Sequence, residues 1–425
     1  MESRFFARVL FVLTILTAYI AGNQIFYKDE STSVTNQLLL IILLMVSLFL
    51  FFRNSNRFKK NDLTLLIIFG ISFLINISAH SRTYGLPAVL FMIMGLGLKQ
   101  SPYVAVRLLE YIKKYIIVYP ILFLITFGMF GGSFKVDITS KAASFVAPYL
   151  NPNMLIERFV IFFNVSFTYF IINYLKGKRG SIWLYMLSAA VSFYLILGIV
   201  SRNSILSIVI YVLLIVLYFV KGKNIFSTKS IDVSANKKQN VRVRKNVFIM
   251  LSVVVAIIAY NYIFLSIFQA KSISRNGETS IFDNSRLVIY KAVLTEAVSS
   301  VKVFFFGKGI GNSATQISGA YSDFDFFNRD ADTFGAFNTV LGWQLELGVI
   351  FTVYFIYWLF KTCKNTPAPL YLKLLLLCTF IPGMFESLTF GNYSWFPELF
   401  KWVLISVIYN WDILPLKSRI KFVLS

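Results

Sequence analysis

Acidic residues are scarce in this chain, with 19 Asp and Glu against 41 Lys and Arg, and charged residues of both signs fill only 14% of its 425 positions. A soluble domain usually carries about 25% charge, so the deficit excludes an ordinary water-soluble globule. Two cysteines, Cys363 and Cys378, exclude a disulfide framework and a cysteine-rich metal centre. The single histidine, His80, leaves no imidazole cluster. Neither a Walker loop nor a dinucleotide fingerprint occurs: the run Gly307-Lys308-Gly309-Ile310-Gly311 lacks the Lys-Ser/Thr pair and the strand-to-helix context. Internal repeats are missing, as are the paired broken helices of inverted-repeat transporters. The apolar stretch after Arg4 and Arg8 has no small-x-small cleavage site, so it reads as a retained anchor. No residue set calls for a metal or an organic cofactor.

What the chain does hold is apolar. Hydrophobic residues make up 57% of it, including 45 Phe, and the mean hydropathy is +0.71. With roughly 20 residues per span, this predicts an all-α integral membrane protein, a single polytopic domain over 1–425 with about twelve transmembrane helices. The spans fall near 7–23, 36–52, 62–79, 84–98, 111–130, 155–175, 181–200, 203–220, 246–268, 336–360, 370–386 and 394–410. Basic residues gather on alternate connections: Arg4 and Arg8, then 53–60, 99–114, 176–179, 221–245, 361–373 and the tail. By the positive-inside rule these face the cytoplasm, and both termini with them. A net charge of +22 would suit nucleic acid, but its placement in short loops fits orientation in a membrane, so no nucleic-acid partner is expected. One long polar loop, 269–333, is left on the outer side between spans nine and ten, opposite the basic loop 221–245.

The chemistry-bearing residues cluster on that outer side. Residues 181–220 are apolar except for Arg202 and must fold as a hairpin, with Ser201-Arg202 at its tip. An arginine at membrane depth costs several kcal/mol, so Arg202 is either a snorkelling turn residue or an anion ligand. Arg286 stands early in the outer loop, ahead of a helix-like segment to about 300. The alternating Gly307, Gly309 and Gly311 can form a turn or an anion-holding backbone nest. Two Asp-x-Asp pairs, Asp323/Asp325 and Asp330/Asp332, are a solvated acidic loop or a divalent-cation site. Asn338 enters the next span and Glu346 lies two helical turns deeper, a functional carboxylate or half of a structural salt bridge. His80 and Arg82 occupy a short outer connection, and Glu386 nears the outer end of span eleven.

In order and sidedness, these residues resemble the O-antigen polymerase and O-antigen ligase family of bacterial membrane glycosyltransferases. The matching parts are Ser201-Arg202 between two short spans, Arg286, Gly307-x-Gly309-x-Gly311, and Phe337-Asn338-x7-Glu346-x-Gly348, over roughly 185–360. The resemblance implies a multi-pass enzyme of the bacterial plasma membrane. It would transfer glycans from an undecaprenyl diphosphate carrier, alongside a flippase and a chain-length regulator. Arg202 and Arg286 would engage the diphosphate. Independently of the resemblance, an attacking sugar hydroxyl needs a base within hydrogen-bond reach, for which Glu346, Asp330, Asp332 and His80 are the candidates and Glu346 the favoured one. Ligases typically carry His-Asn where this chain has Phe337-Asn338, a departure that favours polymerase over ligase. A lipid-linked oligosaccharide flippase or transporter is the alternative from another class. A polyprenyl-phosphate-sugar glycosyltransferase would place an acidic pair in the first outer loop, where Asp29-Glu30 stands without convincing spacing.

Overall fold

The computed structural model describes residues 2–21, 30–53, 55–76, 79–129, 152–175, 179–199, 202–220, 285–310, 312, 338–364, 366–381 and 395–415. Among these residues the chain is all-α, with 13 α-helices and no strand. They are α1 Glu2–Ala21, α2 Glu30–Arg53, α3 Lys60–Ile75, α4 Ala79–Lys99, α5 Pro102–Met129, α6 Pro152–Leu175 and α7 Arg179–Ile199. The rest are α8 Arg202–Val220, α9 Ser285–Ala297, α10 Val301–Phe306, α11 Thr339–Lys364, α12 Leu370–Phe380 and α13 Trp395–Tyr409. Local signals set several boundaries. Proline opens α5 and α6, where its missing N–H would be unsatisfied anyway. Arg53, Lys99, Lys361 and Lys364 close α2, α4 and α11, where cations suit the helix dipole.

Helices occupy eleven of the twelve apolar stretches read from the sequence; the remaining stretch, 246–268, lies outside the described residues, as does the basic loop 221–245. Among the described residues, one helix, α11, is by length and composition long and apolar enough to cross a membrane. The apolar runs Leu38–Arg53, Pro87–Lys99, Ile182–Ile196, Ser204–Ile215 and Leu370–Phe380 are shorter, at 10–17 residues.

Side-chain ladders give the helices their directions. Helices α3 and α11 run antiparallel: Trp358 Nε1 donates to Asp62 Oδ1 at 2.8 Å, Phe69 lies 5.7 Å from Phe351, and Asn76 Nδ2 donates to the Phe306 carbonyl at 3.0 Å. Helices α4 and α13 end together, with Ser406 Oγ on the Leu98 carbonyl and Asn410 Nδ2 on the Lys99 carbonyl, both at 2.6 Å. Helix α5 starts beside them and meets α6 antiparallel through Lys113/Tyr169 (4.3 Å), Tyr119/Phe162 (5.5 Å) and Phe123/Phe159 (5.1 Å). The α6–α7 hairpin then pairs Tyr169/Tyr185 (5.4 Å), Ser166/Ser188 (2.9 Å) and Phe163/Phe193 (5.8 Å). One end of the bundle therefore carries Asp62 and the C-termini of α4, α11 and α13. The other carries the starts of α4, α6, α8 and α11, and is called here the Glu346 end.

The interior is apolar, threaded by a minority of buried polar side chains, and the exterior is apolar as well, unlike that of a water-soluble bundle. Serine, threonine and asparagine hydroxyls and amides cross between helices, as in Ser188 Oγ to the Ile116 carbonyl (2.7 Å) and Ser207 Oγ to the Cys378 carbonyl (3.3 Å). Outside, α2 exposes Leu38, Ile41, Met45, Phe49 and Phe52 at helical spacing, and α5 exposes Val118, Leu122 and Ile125. Contiguous apolar stripes of this size mark a surface that meets something other than water. At the N-terminus Glu2 pairs with Arg53 at 2.5 Å, and that guanidinium holds the Glu2 carboxyl below the ordinary carboxylate range.

Candidate functional site

Helix α11 begins at a cap. Asn338 Oδ1 accepts from the amides of Val340 (2.9 Å) and Leu341 (3.0 Å), satisfying donors that a helix start leaves without partners. Asn338, one of the residues that carry the resemblance, thus has a structural task of its own. Further along, the helix is broken: Gly348 adopts φ 81°, in the region open to glycine. Glu346 sits at this break and is only 4% exposed.

The break receives the glycine run. Helix α10 starts at Ser300, whose Oγ accepts from the Val303 amide at 3.2 Å, and ends at Gly307, with φ 76°. The Lys308 amide then donates to the Leu345 carbonyl (2.7 Å), and the Gly309 amide, at φ 98°, donates to the Glu346 carbonyl (2.9 Å). A Cβ on Gly307 would overlap the Glu346 carbonyl, and one on Gly348 would overlap the Phe305 carbonyl. Two backbones pass in contact here, which only paired glycines permit. Because the Gly307 amide also donates to Val303 O at 2.8 Å, the amides of 307, 308 and 309 are all engaged by carbonyls. Of the turn and the nest allowed by the sequence, these residues make the turn. Gly311 lies outside the described residues.

Neighbouring elements lock the crossing. Gln344 Nε2 donates to the Phe304 carbonyl at 3.2 Å, and Asn76, just past α3, donates to the next carbonyl but one, that of Phe306. Lys308 pairs with Glu296 on α9, so α9, α10 and the glycine turn form one unit on α11. That unit is part of the loop read as 269–333; its residues 285–310 are packed on the bundle.

The arginines and the histidine are described by their backbone. Arg202 is the first residue of α8, reached just after α7 ends at the Glu346 end. Arg286 is the second residue of α9, within the unit docked on α11. His80 and Arg82 stand in the first turn of α4 rather than in a connection, because α4 already begins at Ala79. The fold therefore brings the segments bearing Arg202, Arg286, His80, Arg82 and Glu346 to one end of the bundle. The acidic pairs Asp323/Asp325 and Asp330/Asp332, and Glu386, lie outside the described residues. No family model, curated protein or solved structure matches this chain.

Sequence reasoning passed over two buried ionic clusters. Asp62, fully buried, takes Lys99 at 2.5 Å. Lys401 pairs with Glu157 of α6 (3.0 Å) and with Glu398 (2.9 Å), all three less than 10% exposed, and ties α13 to α6. The signal for the second was present as Glu398-x-x-Lys401, an i,i+3 charge pair inside an apolar run.

Proposed function

We propose that this protein is a multi-pass membrane glycosyltransferase that polymerises lipid-linked glycan repeat units on the outer face of a bacterial plasma membrane. The reading takes about twelve spans, both termini cytoplasmic, and the Glu346 end facing outward. What supports the membrane setting is the apolar exterior, together with hydroxyls that hydrogen-bond between helices inside the bundle.

The observation that carries the chemistry is the placement of three segments at the same end of the bundle: the start of α8 with Arg202, a helix that packs on α6, α7 and α12, the α9 unit with Arg286, docked on α11, and the α11 break with buried Glu346. No nucleotide sugar is available outside the cytoplasm, so the donor arrives activated as a glycosyl diphosphate on a polyprenyl lipid. The acceptor sugar hydroxyl attacks the anomeric carbon, the bond from that carbon to the diphosphate oxygen breaks, and a base takes the hydroxyl proton. Arg202 and Arg286 stabilise the departing diphosphate with permanent, planar, bidentate charge. Glu346 is our choice for the base, since a buried carboxylate within reach of the acceptor suits that role. Arg202→Ala and Arg286→Ala, each checked for normal insertion, should leave only short lipid-linked units, a rate loss on the order of 10²–10³ per donor removed. Full-length polymer ladders from both variants would overturn the assignment.

A further inference from the structure

The unit docked on α11 presents an apolar edge that the chemistry above does not use. Val293 and Ala297 are buried against the protein, whereas Leu294, Val298, Val301, Phe304 and Phe305 are between 37% and 76% exposed. Leu294 and Val298, four apart at the end of α9 and just past it, share one face, as do Val301, Phe304 and Phe305 at i, i+3 and i+4 along α10, and the two sets make up the exposed edge. Lys291 and Lys302, both exposed, flank it. Aromatic and aliphatic side chains bordered by lysines are the composition of a helix lying in a lipid interface.

Two helices measure how deep this edge lies. From Lys361, at the basic end of α11, to the crossing at Gly348 is 13 residues of unbroken helix, about 20 Å at 1.5 Å per residue. From Lys60 to Asn76, the partner of Phe306, is 16 residues, or about 24 Å. The Asp62–Trp358 hydrogen bond sets the two rulers to a common origin. Both distances fall short of the roughly 30 Å of bilayer hydrocarbon. A bilayer whose inner boundary is at the lysines therefore extends past the crossing, and α10 sits within its outer leaflet. The edge also continues an existing apolar face, since α11 exposes Ile350, Val353, Ile356 and Phe360 below the crossing.

We propose that α9 and α10 form a re-entrant element whose Leu294–Phe305 edge contacts the acyl chains of the outer leaflet, with Lys291 and Lys302 at its phosphates. This rests on the membrane setting proposed above. The short α3, at 16 residues, stops inside the bilayer, and α10 fills the leaflet beyond it. Seated in this way, the element holds the Glu346 crossing about 6–10 Å inside the outer hydrocarbon boundary, just beneath the headgroup layer where the diphosphate of a polyprenyl carrier resides.

The test uses the full chain with Cys363→Ala and Cys378→Ala, reconstituted into phosphatidylethanolamine–phosphatidylglycerol vesicles. Spin labels are placed singly at Val301→Cys, Phe304→Cys and, as a reference on α11, Val353→Cys. Collision with oxygen, which concentrates in lipid, is compared with collision with a water-soluble nickel chelate. The expected result is a shift toward oxygen at 301 and 304 that matches 353. Labels at 301 and 304 that favour nickel while 353 favours oxygen would overturn the proposal and leave the membrane setting standing. Labels at 301 and 304 shielded from both reagents would mean that protein covers the edge, and would also overturn it. Nickel access at all three positions would sink the membrane setting itself.

Discussion

A carboxylate surrounded by four donors has no capacity left for a substrate. Asp62 Oδ1 accepts from Lys99 Nζ and Trp358 Nε1, while Oδ2 accepts from Gln100 Nε2 (3.1 Å) and the Lys59 amide (3.2 Å). Lys99 also lies 4.1 Å from the Tyr409 ring centre. The cluster is therefore a clamp on the ends of α3, α4, α11 and α13. Removing one partner of a buried pair strands the other charge, at a cost of about 3–5 kcal/mol. Asp62→Ala should accordingly lower the thermal unfolding midpoint of the detergent-solubilised protein sharply, and a midpoint within error of the parent would disprove the clamp. Nothing in the local sequence announces this residue. Asp62 follows Lys59-Lys60-Asn61 and looks like part of a basic connection, and its partners stand 37 and 296 positions away. By contrast Glu346 was legible, because a carboxylate two turns inside an apolar run is costly to bury and stands out against its neighbours.

At the scale of elements, helix positions followed directly from apolar run length and from the basic residues that end each run. What could not be read was the partner of the glycine run. Alternating glycines permit a turn, a nest or a close crossing, and only the presence of a second glycine, Gly348, in the facing helix selects the crossing. The pair makes a specific demand. At Gly348 an alanine would have to adopt φ near 81° and push into the Phe305 carbonyl. Backbone strain of that kind costs about 1–3 kcal/mol, and separating the two backbones relieves it. Gly348→Ala is thus expected to free α9 and α10, so that limited proteolysis cuts within 285–310 faster than in the parent. An unchanged digestion pattern would mean that the crossing tolerates a side chain.

For the whole molecule, the alternation of basic connections predicts a topology, and what the described residues show is the coarser fact that the chain is all-α. Sidedness is the part that charge alone argues, through the eight basic residues Lys221, Lys223, Lys229, Lys237, Lys238, Arg242, Arg244 and Lys245 of one loop. A fluorescent reporter that matures only in the cytoplasm should be active when fused within 221–245, and a phosphatase active only outside should work when fused within 269–284. The reverse pattern would invert the topology and remove the site from the outer face. The packing of 285–310 on the bundle was not legible, because it depends on hydrogen bonds between residues far apart in the chain, Asn76 and Phe306 being separated by 230 positions.

Helices α3 and α11 are fastened to one another at both extremities, by Trp358 on Asp62 at one and by Asn76 through α10 at the other. They behave as the two rails of a ladder. A residue inserted into α3 alone would advance its far tip by about 1.5 Å and swing it by about 100°, carrying Asn76 away from its carbonyl. The gauge of that ladder sets how far the glycine crossing stands from the basic rim.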